Sequence, residues 1–502
     1  MKRAAIVTGL LVVAITALLA ALDGGESSYD PNTFAFGLFA SSYALISVFA
    51  LLKYFRTGRD LLAPLPSMLL LLFLYSAASA LWVREFGQTL YGDIVSQRAA
   101  GMFYVCCVLG CAGLSAGALY ARSRRADRAS PIVPNPALTQ TDRQFLAACL
   151  AIGAVTLLAF LPGTLQKFNF FNVVSYSDYA FDSRVEFMSR ANAGIEEVVT
   201  IYVPVITLLA AGTLLALSGR GPAVRIVGIA ILASYVATNT LAGARRMVID
   251  ALVFAAVYFH YRIRPIRWAE ALTAAVSIYL FVNLLSIARI SSDPVAMLKA
   301  ISDQWSDVGA SAIGITSSGE LLTGVNLHRL IDGLDAGETT YTYGLSVFQE
   351  LLVFVPRVLY PDRPLPLAER FADVFYPGAR EAGAGYGFFV LQEGFWAAGL
   401  SGVLVSMFIL GYAVERLYWR FRFSSQSAFA CFCYATVFSA LVVGAVRQGI
   451  ISQVKYGFLA ALPLLLARVA GRSIHSRLLR RTRSTAPRSK EKVRESSLVS
   501  QL

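Results

Sequence analysis

Three clusters in this 502-residue chain have the residue types and spacing to handle a charged, phosphate-bearing substrate. Arg245 and Arg246 follow the small-residue stretch Thr240-Leu241-Ala242-Gly243-Ala244 and precede an apolar run. A guanidinium stays charged at any relevant pH and donates a planar fork to phosphate oxygens, while small residues beside it let a bulky anion come close. Asp250 stands four residues after Arg246, so a helical pair that merely snorkels to a membrane interface is the plain alternative. The second cluster runs from Phe354 to Pro364 and packs Pro356, Pro361 and Pro364 with Arg357 and Arg363 into eleven residues. Prolines stiffen such a turn; it either presents both arginines to a lipid diphosphate or is a corner with solvated arginines. The third is the glycine-rich run Gly383-Ala384-Gly385-Tyr386-Gly387, which leads into an apolar helix with Glu393 about two turns inside. A charge within a span is by default a functional hypothesis, although Glu393 could also hydrogen-bond glycine backbone or pair with an outer arginine. His328 and Glu350 are the other candidates for a general base.

What is missing narrows the chemistry. The sequence has no Asp-x-Asp pair for a divalent metal and sugar nucleotide, no glycine-lysine phosphate loop and no His/Cys cluster, so no metal and no cofactor are expected. A sugar already activated as a polyprenyl diphosphate needs only arginines for its leaving group and a base for the acceptor hydroxyl. The six cysteines, Cys106, Cys107, Cys111, Cys149, Cys431 and Cys433, all fall in apolar stretches, where they behave as small apolar residues and imply no disulfide framework.

The elements that must position these residues are membrane helices. With 56% hydrophobic and 15% charged residues and a mean hydropathy of +0.60, the chain has too little polar surface for a soluble globe. Apolar stretches long enough to cross a bilayer recur near residues 4–22, 34–52, 64–82, 99–120, 144–161, 198–218, 224–241, 247–261, 268–287, 388–413, 427–443 and 450–467. They are apolar on all faces, so the expected class is an all-α polytopic membrane protein of about twelve transmembrane helices rather than a barrel. The first is read as an uncleaved helix, being longer than a signal-peptide core. Lys and Arg concentrate in the connections that share a side with both termini, which predicts both termini in the cytoplasm. The net charge of +13 is thereby accounted for without a nucleic-acid partner.

Residues 1–467 read as one transmembrane domain and 468–502 as a basic cytoplasmic tail, whose ten Lys and Arg between 468 and 494 are either solvated or touch anionic headgroups. A large periplasmic loop, 288–387, separates the ninth helix from the tenth, and loops of that length usually carry function; the outer loop 162–197 ranks second. The apolar stretch 345–359 inside the large loop is interrupted by Glu350 and Pro356. A crossing there would put the basic tail outside, so a re-entrant or interfacial helix is expected.

Pro356-Arg357 through Pro361-Asp362-Arg363-Pro364, followed by Gly385 to Glu393 and Gly399, resembles the pattern of bacterial O-antigen (oligosaccharide repeat-unit) polymerases, and Arg245 and Arg246 resemble that family's Gly-x-Arg site. The likeness covers most of the chain. Here the family's serine-arginine-glycine version is replaced by Gly243-Ala244-Arg245-Arg246, which leaves two arginines as the equivalent. The resemblance implies a GT-C-like integral-membrane glycosyltransferase, metal-independent, that polymerises undecaprenyl-diphosphate-linked oligosaccharide. Arg245 or Arg246 with Arg357 and Arg363 would then clamp the diphosphate, and Glu393 or His328 would deprotonate or orient the acceptor. A polysaccharide chain-length regulator and membrane lipids would be its partners. An O-antigen ligase and a lipid-linked oligosaccharide flippase are the competing readings. The flippase is disfavoured by ionisable residues that gather in outer loops and at helix ends rather than at the bilayer midplane.

Overall fold

A computed structural model describes residues 31–55, 60–124, 137–159, 202–241, 245–274, 321–352, 364–377, 387–423 and 427–485, with positions 277, 355, 360 and 362. The helices are α1 (Pro31–Phe55), α2 (Pro64–Phe86), α3 (Gln97–Ser123), α4 (Gln140–Ala159), α5 (Val203–Ser218), α6 (Pro222–Leu241), α7 (Arg245–Tyr258), α8 (Val325–Asp335), α9 (Leu345–Leu351), α10 (Leu367–Phe375), α11 (Val390–Phe423), α12 (Ala428–Val437), α13 (Ala445–Gln448) and α14 (Ile450–Thr485). No strand forms among the described residues; only isolated bridges join Gln88 to Ile94 and Phe388 to Gln448.

The chain is an all-α membrane protein. Seven of the described helical segments are long and apolar enough to cross a bilayer: Ala35–Phe55, Pro64–Phe86, Gln97–Ser123, Gln140–Leu158, Val390–Phe423, Ala428–Gln448 and Ile450–Ser473. The expected spans at 198–218 and 224–241 appear as shorter apolar helices, Val203–Ser218 and Pro222–Ala237. That at 247–261 is α7 continued by a π-turn, Phe259–Ile263. The expected first span, the outer loop 162–197 and most of 268–287 lie outside the described residues.

Local sequence explains the boundaries. Pro64 opens α2, where its missing N–H is no loss, and Gly87 closes it with its N–H on the Val83 carbonyl. Ser96 caps α3 by accepting from the Ala99 N–H, and Ser427 caps α12 by accepting from Ala430. α3 and α11 pack backbone to backbone. A methyl group at Gly113 would lie 2.6 Å from the Leu404 carbonyl oxygen, one at Gly117 2.1 Å from that of Phe408, and one at Gly411 2.3 Å from that of Leu114. This is the small-residue seam by which helices associate where apolar surface alone supplies no drive.

The tenth expected span, 388–413, is not one helix. Ala398 (φ −159°, ψ 34°) and Gly399 (φ 63°, ψ −144°) break α11 into a short arm, Val390–Ala397, and a long arm that continues to Phe423. The arms fold against each other, since a Cβ at Gly402 would fall 2.0 Å from the Gly394 carbonyl oxygen.

The bundle has two distinct ends. At one, here the basic end, buried charges are paired. Arg122 bonds Glu415 at 3.0 Å, Tyr54 donates to the same carboxylate at 2.8 Å, and the Arg122 guanidinium stacks 3.7 Å from the Tyr54 ring. Arg262 bonds Asp142 at 2.9 Å, whose other oxygen accepts from the Ala428 N–H at 2.8 Å. Asp60 accepts from Tyr261 (2.8 Å) and Tyr418 (2.7 Å) and faces His260 Nε2 at 3.1 Å. Burial works against its charge, but the bonds from His260 and the tyrosines outweigh it and hold the carboxyl below its ordinary value.

At the opposite end, here the loop end, the described part of the large loop folds onto α2, α3 and α11. Arg98 pairs with Asp335 at 3.2 Å, Ser96 N–H donates to Asp332 at 3.2 Å, and Tyr376 donates to Asp93 at 2.9 Å. Within this cap, α9 is inside out: Leu345, Phe348 and Leu351 are exposed, whereas Ser346 and Glu350 are buried. An apolar outer face on a polar inner one is what an interfacial helix presents to lipid.

Candidate functional site at the loop end

The short arm of α11 threads between loop and bundle. Asn326 Nδ2 donates to the Gly387 carbonyl at 2.7 Å, and the Phe388 N–H donates to the Arg447 carbonyl at 2.8 Å. Any side chain at position 387 would strike Thr323, whose Cγ2 lies 2.0 Å from a Cβ built there. This clamp sets the position of Glu393, which is 3% exposed. Its carboxylate accepts from the Ile450 N–H and that of Ile451, so it caps the first turn of α14, where the helix dipole favours negative charge. Gly449, at φ 80°, makes room: a Cβ there would lie 2.8 Å from Glu393 Oε2.

Glu350, from α9, comes to the same place. One of its oxygens accepts from the Leu367 N–H at 3.1 Å, and the other is buried without a hydrogen-bond partner among the described residues. Burial, and then the negative charge of nearby Glu393, push its carboxyl up to about 8. The two carboxylates therefore differ in their bonding: Glu393 is anchored on two backbone N–H groups, whereas Glu350 has one oxygen unbonded among the described residues. Around them, the Gln392 amide is wholly buried with neither its oxygen nor its nitrogen bonded among the described residues, and the Asn326 carbonyl oxygen and the Thr323 hydroxyl are in the same state. An unpaired buried polar group costs about 1–3 kcal/mol, so these groups are available to bond water or a polar ligand.

His328 is placed differently. It is 1% exposed and stacks on Phe103 with ring centroids 4.1 Å apart, and burial lowers it to about 3. Burial thus favours its neutral form, and its Nδ1 is buried without a hydrogen-bond partner among the described residues. Compared with known proteins, this chain matches no protein-family model, no curated protein and no solved structure. Its site is thus read from its own geometry.

Of the arginines expected to clamp a diphosphate, Arg245 and Arg246 form the first turn of α7, at the loop end, but their side chains lie outside what the structure describes. Arg357 and Arg363 also lie outside the described residues. Asp250, the sequence-level partner for Arg246, accepts hydrogen bonds from Ser439 and Tyr456. Ser439 belongs to a π-helical segment, Phe438–Gly444, a distortion frequent at functional sites. Sequence reading passed over Gln392, Asn326, Thr323 and Gly449. The available signal was Arg447-Gln448-Gly449 between two apolar runs, which marks a helix reversal that a buried carboxylate could cap.

Proposed function

We propose that this chain is an integral-membrane glycosyltransferase of the O-antigen polymerase type, with twelve spans, a GT-C-like plan and both termini cytoplasmic in a bacterial inner membrane. It joins undecaprenyl-diphosphate-linked oligosaccharide repeat units at the periplasmic face, which is the loop end. The observation that carries the reading is the buried Glu350–Glu393 pair, with one carboxylate oxygen unbonded among the described residues, beneath the loop. In the transfer, the acceptor hydroxyl oxygen bonds the donor sugar's anomeric carbon as the bond from that carbon to diphosphate breaks. The acceptor proton passes to a carboxylate, and the diphosphate leaves with its charge on the arginines. We assign that proton to Glu350, whose second oxygen has no hydrogen-bond partner among the described residues, with Glu393, held by backbone N–H groups, positioned beside it. Arg245, Arg246, Arg357 and Arg363 supply the clamp.

The test is the polysaccharide ladder of cells carrying Glu350→Gln, Glu393→Gln or the Arg245→Ala/Arg246→Ala pair, with membrane levels matched by blot. Collapse to a single repeat unit on lipid A core is the expected result. Loss of even that unit points instead to the ligase or flippase, and an unchanged ladder overturns the assignment.

A further inference from the structure

The basic end holds a cavity of about 150 Å³ that the proposed reaction does not use. It lies where α4, α12 and α14 meet and is lined by Thr141, Asp142, Ser427, Phe429, Arg468 and Arg472. We infer that this cavity binds the phosphodiester headgroup of an anionic phospholipid in the leaflet at the basic end.

Charge in the cavity is the first observation. Asp142 is its only acidic lining residue and is already neutralised, with Arg262 on one oxygen at 2.9 Å, the Ala428 N–H on the other at 2.8 Å, and the Thr139 N–H at 3.1 Å. Arg468 and Arg472 have no carboxylate partner among the described residues; Arg468 instead lies with its guanidinium carbon 4.2 Å from the Phe429 ring centre. Two guanidiniums without a carboxylate partner among the described residues thus line one hollow together with Phe145, Phe429 and the hydroxyls of Thr141 and Ser427, which also bond Thr139 and the Ala430 N–H. A planar fork with neighbouring hydroxyl donors is matched to phosphate oxygens.

The second observation selects a lipid over free phosphate. On the same helix, Leu465, Leu466 and Val469 are exposed, Val469 at 63%, within a segment apolar enough to span the bilayer. Acyl chains along that face would continue from a headgroup held one turn further on, at Arg472. Basic pockets between spans on the cytoplasmic side are suited to such headgroups, and the positive-inside bias puts this end there.

The experiment uses the full chain in detergent. Its thermal midpoint is followed during titration with phosphatidylglycerol, phosphatidylcholine or inorganic phosphate, and lipid retention is read by native mass spectrometry. Phosphatidylglycerol is expected to raise the midpoint and remain bound, phosphatidylcholine to do neither, and high salt to reverse the shift. Arg468→Gln/Arg472→Gln should weaken retention by about tenfold or more, whereas Arg420→Gln, on exposed α11 surface at the same end, should not. Equal effects of the two lipids on the unsubstituted protein overturn the inference whatever the variants do. A shift with inorganic phosphate as large as with phosphatidylglycerol overturns the lipid assignment and leaves a free-phosphate site.

Discussion

The two ends of this bundle bury their carboxylates in opposite ways. At the basic end each buried carboxylate meets a cation or a set of hydroxyls: Glu415 has Arg122 and Tyr54, Asp142 has Arg262 and Asp60 has His260 and two tyrosines. At the loop end Glu350, Gln392, Asn326 and Thr323 each keep at least one buried polar atom unbonded among the described residues. Paired ions hold a fold in one arrangement because separating them strands a charge. Unpaired groups under a loop are a standing cost that a substrate could relieve. The contrast separates a part of the molecule built as a clasp from the part proposed here as the site.

Each end can be broken in a way that sharpens this difference. Glu415→Ala should have the largest effect on stability, about 3–5 kcal/mol, because it leaves Arg122 buried without its carboxylate; chemical denaturation in detergent measures it. Arg122→Met with Glu415→Leu should recover most of that loss, and failure to recover would mean that the pair does more than hold the fold. Glu350→Gln should lower polymer formation about 10²- to 10⁴-fold while leaving the midpoint near neutral pH almost unchanged.

The same variant carries a pH signature. Glu350 titrates at about 8 when folded against an ordinary 4.5, so folding takes up a proton between those values. The stability it contributes is complete below about pH 4.5 and is lost as pH rises through about 8. Melting between pH 5 and 9 should show that decline in the unsubstituted protein and a flatter profile in Glu350→Gln. A smaller effect, more than about 1 kcal/mol, is expected for Gly449→Ala, which places a side chain at φ 80° against Glu393. The smallest is expected for His328→Phe, which keeps the stack on Phe103 and should cost less than about 1.5 kcal/mol. Retained ladder formation would confirm a packing role, and its loss would return His328 to the list of bases.

Hydropathy made the membrane class legible because it depends on composition over some twenty residues, and the cap Ser96 and the first-turn proline Pro64 stand at the helix starts they mark. The reversal at Ala398-Gly399 was hidden, since the apolar run continues through it and only backbone angles reveal the break. Glu393 stood out as a charge in an apolar segment, but its capping of α14 depends on a contact 57 positions away in the chain. The Arg122–Glu415 pair spans 293 positions. Sequence patterning over one or two turns carries no information at such separations, so individual residues could be nominated without showing which would meet.

The inversion of α9 has a consequence for traffic. Leu345, Phe348 and Leu351 lie on one side of a seven-residue helix and Glu350 on the other, so the thickness of a single helix separates an exposed apolar face from a carboxylate oxygen unbonded among the described residues. A substrate tethered to a lipid would not have to leave the leaflet and descend from water; it could slide sideways past one short wall.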